Sequence, residues 1–347
     1  MVSQHLLDII MLIEVLLLAL AVSVYFVHGL WLKITARRTQ KLSQTARESL
    51  ARLVLRGHVN LEDIELLKLL PDDVQTMAFL EISRTLSGTG KERLRFVAQQ
   101  VGAIDRARVL CTHRWWTRRL RGARILSNLD VQDSLAQTLL SDPHPAVRAQ
   151  AAEWAAAQAS PEVVAAMLEL LADPATQARF AVQHALLRMG NVIAAPLAAF
   201  LETHSDRAAE AGLRVAESIA EPRFLDAAVR LSRADDVGVR EAAAKLLGAI
   251  GGAEAAARLI ELLSDDDARV RAGAASALGR MRYWQAGSLL AVRLRDQRWR
   301  VRREAGLALR ALGAAGTLFL RKALKGEDRF AADMAEQVLD LPEAAAG

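Results

Sequence analysis

Two patterns of apolar and polar positions divide the chain. From Leu6 to Trp31 the residues are almost wholly apolar. Farther along, apolar residues recur at the spacing of helix faces and are interrupted by short polar turns. About 20 residues of helix cross the hydrocarbon core of a bilayer, so the first pattern predicts one transmembrane helix. The second pattern predicts helices that pack against one another.

The apolar segment has a rival interpretation, a secretory signal peptide. The apolar run here is longer than that of a signal peptide. No basic region precedes it, and no cleavage site of small residues follows it. After the run, seven Lys and Arg residues stand against one acid, Glu48, before residue 57. Basic flanks stay cytoplasmic. We therefore expect a single-pass protein of the inner (cytoplasmic) membrane, with its N-terminus outside, its solenoid in the cytoplasm, and lipid around residues 6–31 and the basic flank.

Glu14 interrupts the apolar run. An acidic side chain inside a bilayer is costly, so Glu14 could make a polar contact with the membrane helix of another protein. Alternatively, Glu14 lies near the outer interface, where it is protonated or reaches water. Both interpretations stay open.

The polar turns recur with a constant period. Each turn contains aspartate and precedes an arginine that is followed by small apolar residues. The steps between successive arginines are 31, 61, 31 and 31 residues, and within the step of 61 a weaker copy has Ala209 in place of the arginine. A degenerate first copy surrounds Arg119, 29 residues before Arg148. The repeated arginines are Arg148, Arg179, Arg240, Arg271 and Arg302. A period of this length is typical of a solenoid.

Each repeat predicts two helices. Leu259 and Leu262 lie on the apolar face of a first helix, and Val270 and Leu278 lie on that of a second. The aspartates of the turn favour a helix start, because their side chains accept hydrogen bonds from free backbone amides. One pair cannot bury both faces, so neighbouring pairs must stack. The predicted fold class is all-α: an α-solenoid of antiparallel helical hairpins preceded by one transmembrane helix.

The pattern Asp-x-x-x-x-Val-Arg-x-x-Ala-Ala-x-Ala-Leu-Gly resembles the HEAT-repeat superfamily, in the short form also found in phycobilisome-lyase-like proteins. The resemblance covers roughly residues 104–340 and implies that turn aspartates and arginines hydrogen-bond along the stack. It also implies breaks at Ala209 and Ala234, where the stack could bend or loosen. The matching ladder positions are Asp142, Arg148, Asp173, Arg179, Arg240, Asp265, Arg271, Asp296 and Arg302.

Three regions are predicted: a membrane anchor at 1–34, a basic juxtamembrane segment with a helical cap at 35–103, and the solenoid at 104–347 with a C-terminal cap helix. No catalytic residue, cofactor or metal site is expected. The histidines lack the spacing of metal ligands, and no phosphate-binding glycine loop occurs. The single cysteine, Cys111, excludes a disulfide within the chain.

Charge changes this picture at the C-terminal end. Twelve basic residues and two acidic ones lie from Arg280 to Lys325, whereas acids outnumber bases from 125 to 279. Arginine and tryptophan are enriched at binding hot spots. A candidate partner-binding surface therefore consists of Trp284, Arg298, Trp299, Arg300 and Arg303. The alternative is a solvated basic cap without a partner.

These features predict a scaffold or adaptor, not an enzyme, that binds a membrane-associated protein such as a membrane enzyme or signalling complex. Binding of nucleic acid or another anionic surface through the basic end is the alternative. The acidic middle disfavours a long nucleic-acid groove. The resemblance also leaves a less favoured third candidate, a phycobilin-lyase-like enzyme, in which only Cys111 could hold a thioether adduct.

Overall fold

Helices supply the regular secondary structure of residues 4–55 and 60–342, the part of the chain that the computed structural model describes. Within the first helix, side chains are described at 11–12, 16–18, 20–28 and 40–54. No strand occurs in these described ranges, and the predicted all-α solenoid is confirmed. The chain forms two compact units, unit 1 (Met1–Asp133) and unit 2 (Ser134–Gly347).

Unit 1 is built on one long helix. Its helices are α1 (Gln4–Leu55), α2 (Leu61–Lys68), α3 (Asp72–Ser83), α4 (Thr89–Gln100), α5 (Ala103–Cys111) and α6 (Trp116–Asn128). The C-terminal part of α1 packs against α2, α3 and α4, and its side chains Ala46, Leu50 and Leu53 are buried. Apolar side chains in the N-terminal part, such as Leu18 and Phe26, are exposed.

Unit 2 is a series of helix pairs. Its helices are α7 (Leu135–Leu140), α8 (Pro145–Ala155), α9 (Pro161–Glu169), α10 (Thr176–Met189), α11 (Ala194–Thr203), α12 (Arg207–Ile219), α13 (Leu225–Leu231), α14 (Val237–Ile250), α15 (Gly252–Leu262), α16 (Ala268–Arg280), α17 (Gly287–Arg293), α18 (Trp299–Ala311), α19 (Ala314–Leu324) and α20 (Arg329–Leu339). Short 3-10 turns lie at Ala156–Gln158, Leu170–Ala172, Gly190–Ile193, Pro222–Phe224 and Trp284–Ala286. The second helix of each pair packs on the second helix of the next, from α8 to α20.

Small residues set the distance between these second helices. A side chain at Gly279 of α16 would place its Cβ 2.8 Å from the Cβ of Ala308 in α18. Gly248 of α14 meets Ala277 of α16 in the same way, one repeat earlier, at 2.5 Å. Real Cβ contacts are longer than this, so the close approach requires glycine at these positions. The repeated small residues therefore allow the dense packing that buries Val270.

In the turn before α16, two aspartates have different roles. Asp267 caps α16, because its carboxylate accepts the backbone N–H of Arg269. Asp265, two residues earlier, instead accepts the backbone N–H of Asp267 at 2.9 Å, which fixes the turn and leaves the carboxylate facing the preceding repeat. Helix capping, the role expected for the turn aspartates, is therefore filled in this turn by Asp267, whereas Asp265 serves the turn and the preceding repeat.

Two segments of the described residues have the composition of membrane helices. Thr176–Thr203 is long and apolar enough to cross a bilayer, and Leu16–His28 is a shorter apolar helix. However, Thr176–Thr203 contains α10, a 3-10 turn and α11, with Gly190 at a φ of +63° between them. Val182 and Leu197 of these helices are fully buried in unit 2. We therefore assign Thr176–Thr203 to the solenoid core.

The predicted region boundaries, at positions 34 and 104, do not coincide with the division between the two compact units. Position 34 falls inside α1, which continues without a break to Leu55. Position 104 falls at the beginning of α5, whereas the two compact units divide after Asp133. The last helices, α19 and α20, pack together as a complete pair.

Candidate functional site

An arginine–aspartate ladder connects consecutive repeats of unit 2. In each of three rungs, both oxygens of one carboxylate accept hydrogen bonds from Nε and Nη2 of an arginine 25 residues earlier. The Nε and Nη2 distances are 2.5 and 2.8 Å for Arg148–Asp173, 2.9 and 3.0 Å for Arg240–Asp265, and 2.8 and 3.1 Å for Arg271–Asp296. Such fork-to-fork pairing is among the strongest polar contacts in proteins.

Hydrogen bonds to the turn of their own repeat also hold the guanidinium groups of the ladder arginines. In every ladder arginine, Nη1 donates to the carbonyl oxygens of the residues six and five positions earlier, which lie in the turn. For Arg148 these are Asp142 and Pro143, at 2.7 and 3.1 Å. This anchoring leaves the Nε and Nη2 edge directed toward the following repeat. Asp142 itself is buried and accepts the backbone N–H of His144.

Burial and pairing act in opposite directions on the ladder acids. Burial alone would raise the pKa of Asp173, but the hydrogen bonds from Arg148 and from the amide of Ala175 lower it more, so its pKa lies below the usual value. The pKa of Asp296 is lowered in the same way, mainly by Arg271. These carboxylates therefore stay ionised at neutral pH, which the bidentate geometry requires.

The pairing distance explains the break that the sequence showed. Ala209 and Ala234 are 25 residues apart, so they are the two partners of a single rung. This rung lacks both the arginine and the aspartate, so neither charge is buried there without its partner. The expected loosening does not occur at this rung: α12 packs on α14, Ala209 is fully buried, and Arg240 keeps its bond to the Ala234 carbonyl oxygen.

Two ladder arginines have no aspartate at the partner position, 25 residues later. Arg179 has His204 at the partner position, and Arg302 has Glu327. Arg302 is 9 % exposed; its Nε is buried without a hydrogen-bond partner, and its guanidinium lies 4.8 Å from the ring centre of Phe330. Both arginines were predicted to belong to the ladder, but the absence of a carboxylate partner for them was not predicted. The 25-residue separation is the signal that identifies them.

The predicted partner-binding surface is only partly brought together. Arg298 precedes α18 and Trp299 begins it, with the Arg303 guanidinium 5.8 Å from the Trp299 ring centre. Arg300 lies 3.6 Å from Glu241, so part of its charge is offset. Trp284, 68 % exposed, lies in the 3-10 turn before α17. The length of α17, about 10 Å, separates it from the other four.

The remaining candidate groups lie apart from this surface. Glu14 belongs to α1, but its side chain is outside the described residues. Cys111 is buried, and burial together with the charge of Asp133 raises the pKa of its thiol to about 12. A protonated, enclosed thiol is a poor nucleophile. Among the described residues, no group of three or more His, Cys, Asp or Glu side chains could hold a metal ion.

Helix pairs joined by an inter-repeat ladder define unit 2 as an α-solenoid, a class of protein suited to protein interaction through extended surfaces. The family model of HEAT repeats matches residues 133–214, 194–279 and 256–340, which together make up more than half of the chain. The chain belongs to the HEAT-repeat family. No curated protein matches its sequence.

Comparison with solved structures finds the following similarities. A chain of the crystal structure of Kap121p bound to Nup53p is 16% identical with a TM-score of 0.60, and the match covers 89% of this chain and 42% of that one. A chain of the Kap95:Nup1 complex is 12% identical with a TM-score of 0.53, covering 88% and 50%. The complex of CpcE and CpcF of phycocyanin lyase from Nostoc sp. PCC7120 contains a chain that is 22% identical with a TM-score of 0.36, covering 60% and 93%.

The first two of these similarities are limited in extent and in identity. This chain spans less than half of the Kap121p chain and half of the matched chain in the Kap95:Nup1 complex. At identities of 16% and 12%, the similarity establishes the fold alone.

Proposed function

We propose that the chain is a single-pass membrane scaffold: the N-terminal part of α1 crosses the bilayer, and the helix pairs bind a membrane-associated protein on the cytoplasmic side. In this proposal the chain acts by binding and not by catalysis. The observation that carries it is the division of α1 into two environments within one uninterrupted helix. Apolar side chains are exposed at one end and buried in unit 1 at the other.

The exposed end of α1 has the properties of a membrane segment. Leu16, Leu17, Leu18, Tyr25 and Phe26 are each at least 60% exposed, and they cover all sides of the helix. A helix that is apolar all round requires either a protein core or lipid around it. With 52 residues, α1 is about 80 Å long, much more than the roughly 30 Å of a bilayer core. A span at its N-terminal end thus leaves the remainder of α1 in water, where unit 1 packs around it.

The protein-binding part of the proposal is supported by the repeat architecture. Stacked helix pairs present long surfaces that bind partners. Kap121p and Kap95 are solved in complexes with other proteins, Nup53p and Nup1. Attachment to a membrane would raise the effective concentration of the helix pairs near other membrane proteins, which strengthens weak contacts. The charge difference across the apolar segment favours a cytoplasmic position for the helix pairs.

Replacing Leu17 and Leu20 together by arginine is expected to abolish membrane insertion. Each arginine near the centre of a span costs about 3 kcal/mol. The wild-type chain should stay with the membrane after alkaline carbonate extraction, and L17R/L20R should not. The matched control, Leu17→Phe with Leu20→Phe, should behave like the wild type. Protease should digest unit 2 in inside-out vesicles and spare it in intact cells. Carbonate extraction of the uncleaved wild-type chain would contradict the proposal.

A further inference from the structure

The free edge of Arg179 opens into a cleft. Its side chain is 9 % exposed, and Nη1 donates to the carbonyl oxygens of Asp173 and Pro174 at 2.5 and 3.1 Å, as in the complete rungs. Nη2 donates only to the Thr176 hydroxyl at 3.1 Å. Among the described residues, no carboxylate lies within ion-pair distance of this guanidinium. The edge that holds an aspartate in three other repeats is therefore unoccupied by an acid.

The side chain of His204, the residue at the partner position of Arg179, contacts Phe200. His204 follows α11 with a φ of −110° and a ψ of 145°, whereas Asp173 has a φ of −51° and a ψ of 129°. The imidazole of His204 stacks on the Phe200 ring at 3.9 Å, and its Nδ1 lies 2.9 Å from the Phe200 carbonyl oxygen. The side chain at the partner position thus supplies no negative charge to Arg179.

The cleft beside Arg179 has a volume of about 290 Å³ and is polar and mainly basic. Arg207 and Arg214 line it together with one acid, Glu210, which is ion-paired with Arg214. Phe180 forms an apolar rim and is 61 % exposed. Three guanidinium groups against one carboxylate leave an excess of positive charge around a partly desolvated arginine, where a charge-assisted hydrogen bond is strong.

We propose that this cleft binds an aspartate or glutamate side chain of a protein partner, which takes the place of the missing ladder carboxylate at Arg179. The Nε and Nη2 edge is already held in the geometry that receives a planar carboxylate in the other rungs, so little ordering is needed on binding. Glu210 disfavours a doubly charged phosphate in the same space. The Phe180 ring provides contact area for the partner residue next to the acid. This inference rests on the proposed function, in which the helix pairs bind a protein.

The test uses the full chain in detergent micelles and an immobilised library of hexapeptides with one fixed central aspartate. A second library carries asparagine at that position and is otherwise the same. The wild-type chain should be retained at least about tenfold better by the aspartate library, because a charged bidentate contact is lost with asparagine. His204→Asp should remove this preference, since its own carboxylate completes the rung. His204→Asn, which adds no charge, should keep it.

Two results would overturn the inference: equal retention of the wild-type chain by both libraries, or an undiminished aspartate preference in H204D. Displacement of the aspartate peptides by an equal concentration of inorganic phosphate would also overturn it, since the cleft would then be a general anion site. H204D and H204N both remove the stacking of the imidazole on Phe200, so H204N is the control for that loss. If H204D still captures the cellular partner, the inference fails and the proposed function stands. If the aspartate peptides bind but no cellular partner is found, the inference stands and the proposed function fails.

Discussion

Val270→Asp should lower the free energy of unfolding by about 3–5 kcal/mol, because it buries a carboxylate that has no partner. Val270 is fully buried in α16, between the helices that precede and follow it in the stack. The new acid must either remain ionised in an apolar environment or take up a proton with a raised pKa, and both cost free energy. In a solenoid, each pair is stable only through its neighbours, so the loss should reach the adjoining pairs as well.

Urea unfolding followed by circular dichroism measures this effect. Ala257→Asp is the matched control, since Ala257 lies on the exposed face of α15 in the same repeat. It should cost about 1 kcal/mol or less, the range of helix propensity. If Val270→Asp unfolded at the same urea concentration as the wild type, the buried face of α16 would be assigned wrongly.

Asp173→Ala should lower the free energy of unfolding by about 3–5 kcal/mol, the largest effect we expect from a polar residue. The variant leaves the buried guanidinium of Arg148 without its carboxylate and removes the acceptor of the Ala175 amide. Arg148→Ala should lower the free energy of unfolding much less in the Asp173→Ala variant than in the wild type. The coupling energy between the two substitutions should be about 2 kcal/mol. The rung that lacks both charges, Ala209 and Ala234, shows that the stack accepts their joint absence.

The stability difference between the wild type and Asp173→Ala should depend on pH in a defined direction. Because the pKa of folded Asp173 is lower than that of an unfolded aspartate, its contribution to stability is complete above about pH 4. The contribution is lost as the pH falls through the folded pKa. The difference between the wild type and Asp173→Ala should therefore be constant at neutral pH and shrink in acid. A difference that grew in acid, or additive effects of the two single substitutions, would rule out the rung as a source of stability.

The sequence was sufficient for the repeated part of the fold and insufficient for what lies between repeats. Arg240 and Arg271 recur with a period that matches one helix pair, and buried positions such as Val270 follow from helix geometry alone. The partner of each arginine lies in the following repeat, and a period cannot show which of two aspartates it contacts. For this reason Ala209 and Ala234 looked like two breaks, although they form one rung.

Other features depend on contacts that no local pattern encodes. The sequence shows His204 at the partner position of Arg179, but the stacking of its imidazole on Phe200 depends on side-chain packing. The C-terminal part of α1 looks like a basic flank in the sequence, but Leu50 and Leu53 bury one face of it in unit 1. The division between units after Asp133 likewise arises from tertiary packing, since the repeat period continues across it.

Photo-crosslinking in native membranes tests the central claim most directly. A photoreactive residue is placed in turn at position 180 in α10, 257 in α15 and 299 in α18, all of which are exposed. We predict that at least one position crosslinks a distinct membrane-associated protein, identified by mass spectrometry, and that L17R/L20R loses this product at equal abundance. Crosslinks that are absent at every position, or that form equally well with the soluble variant, would contradict a scaffold that works at the membrane.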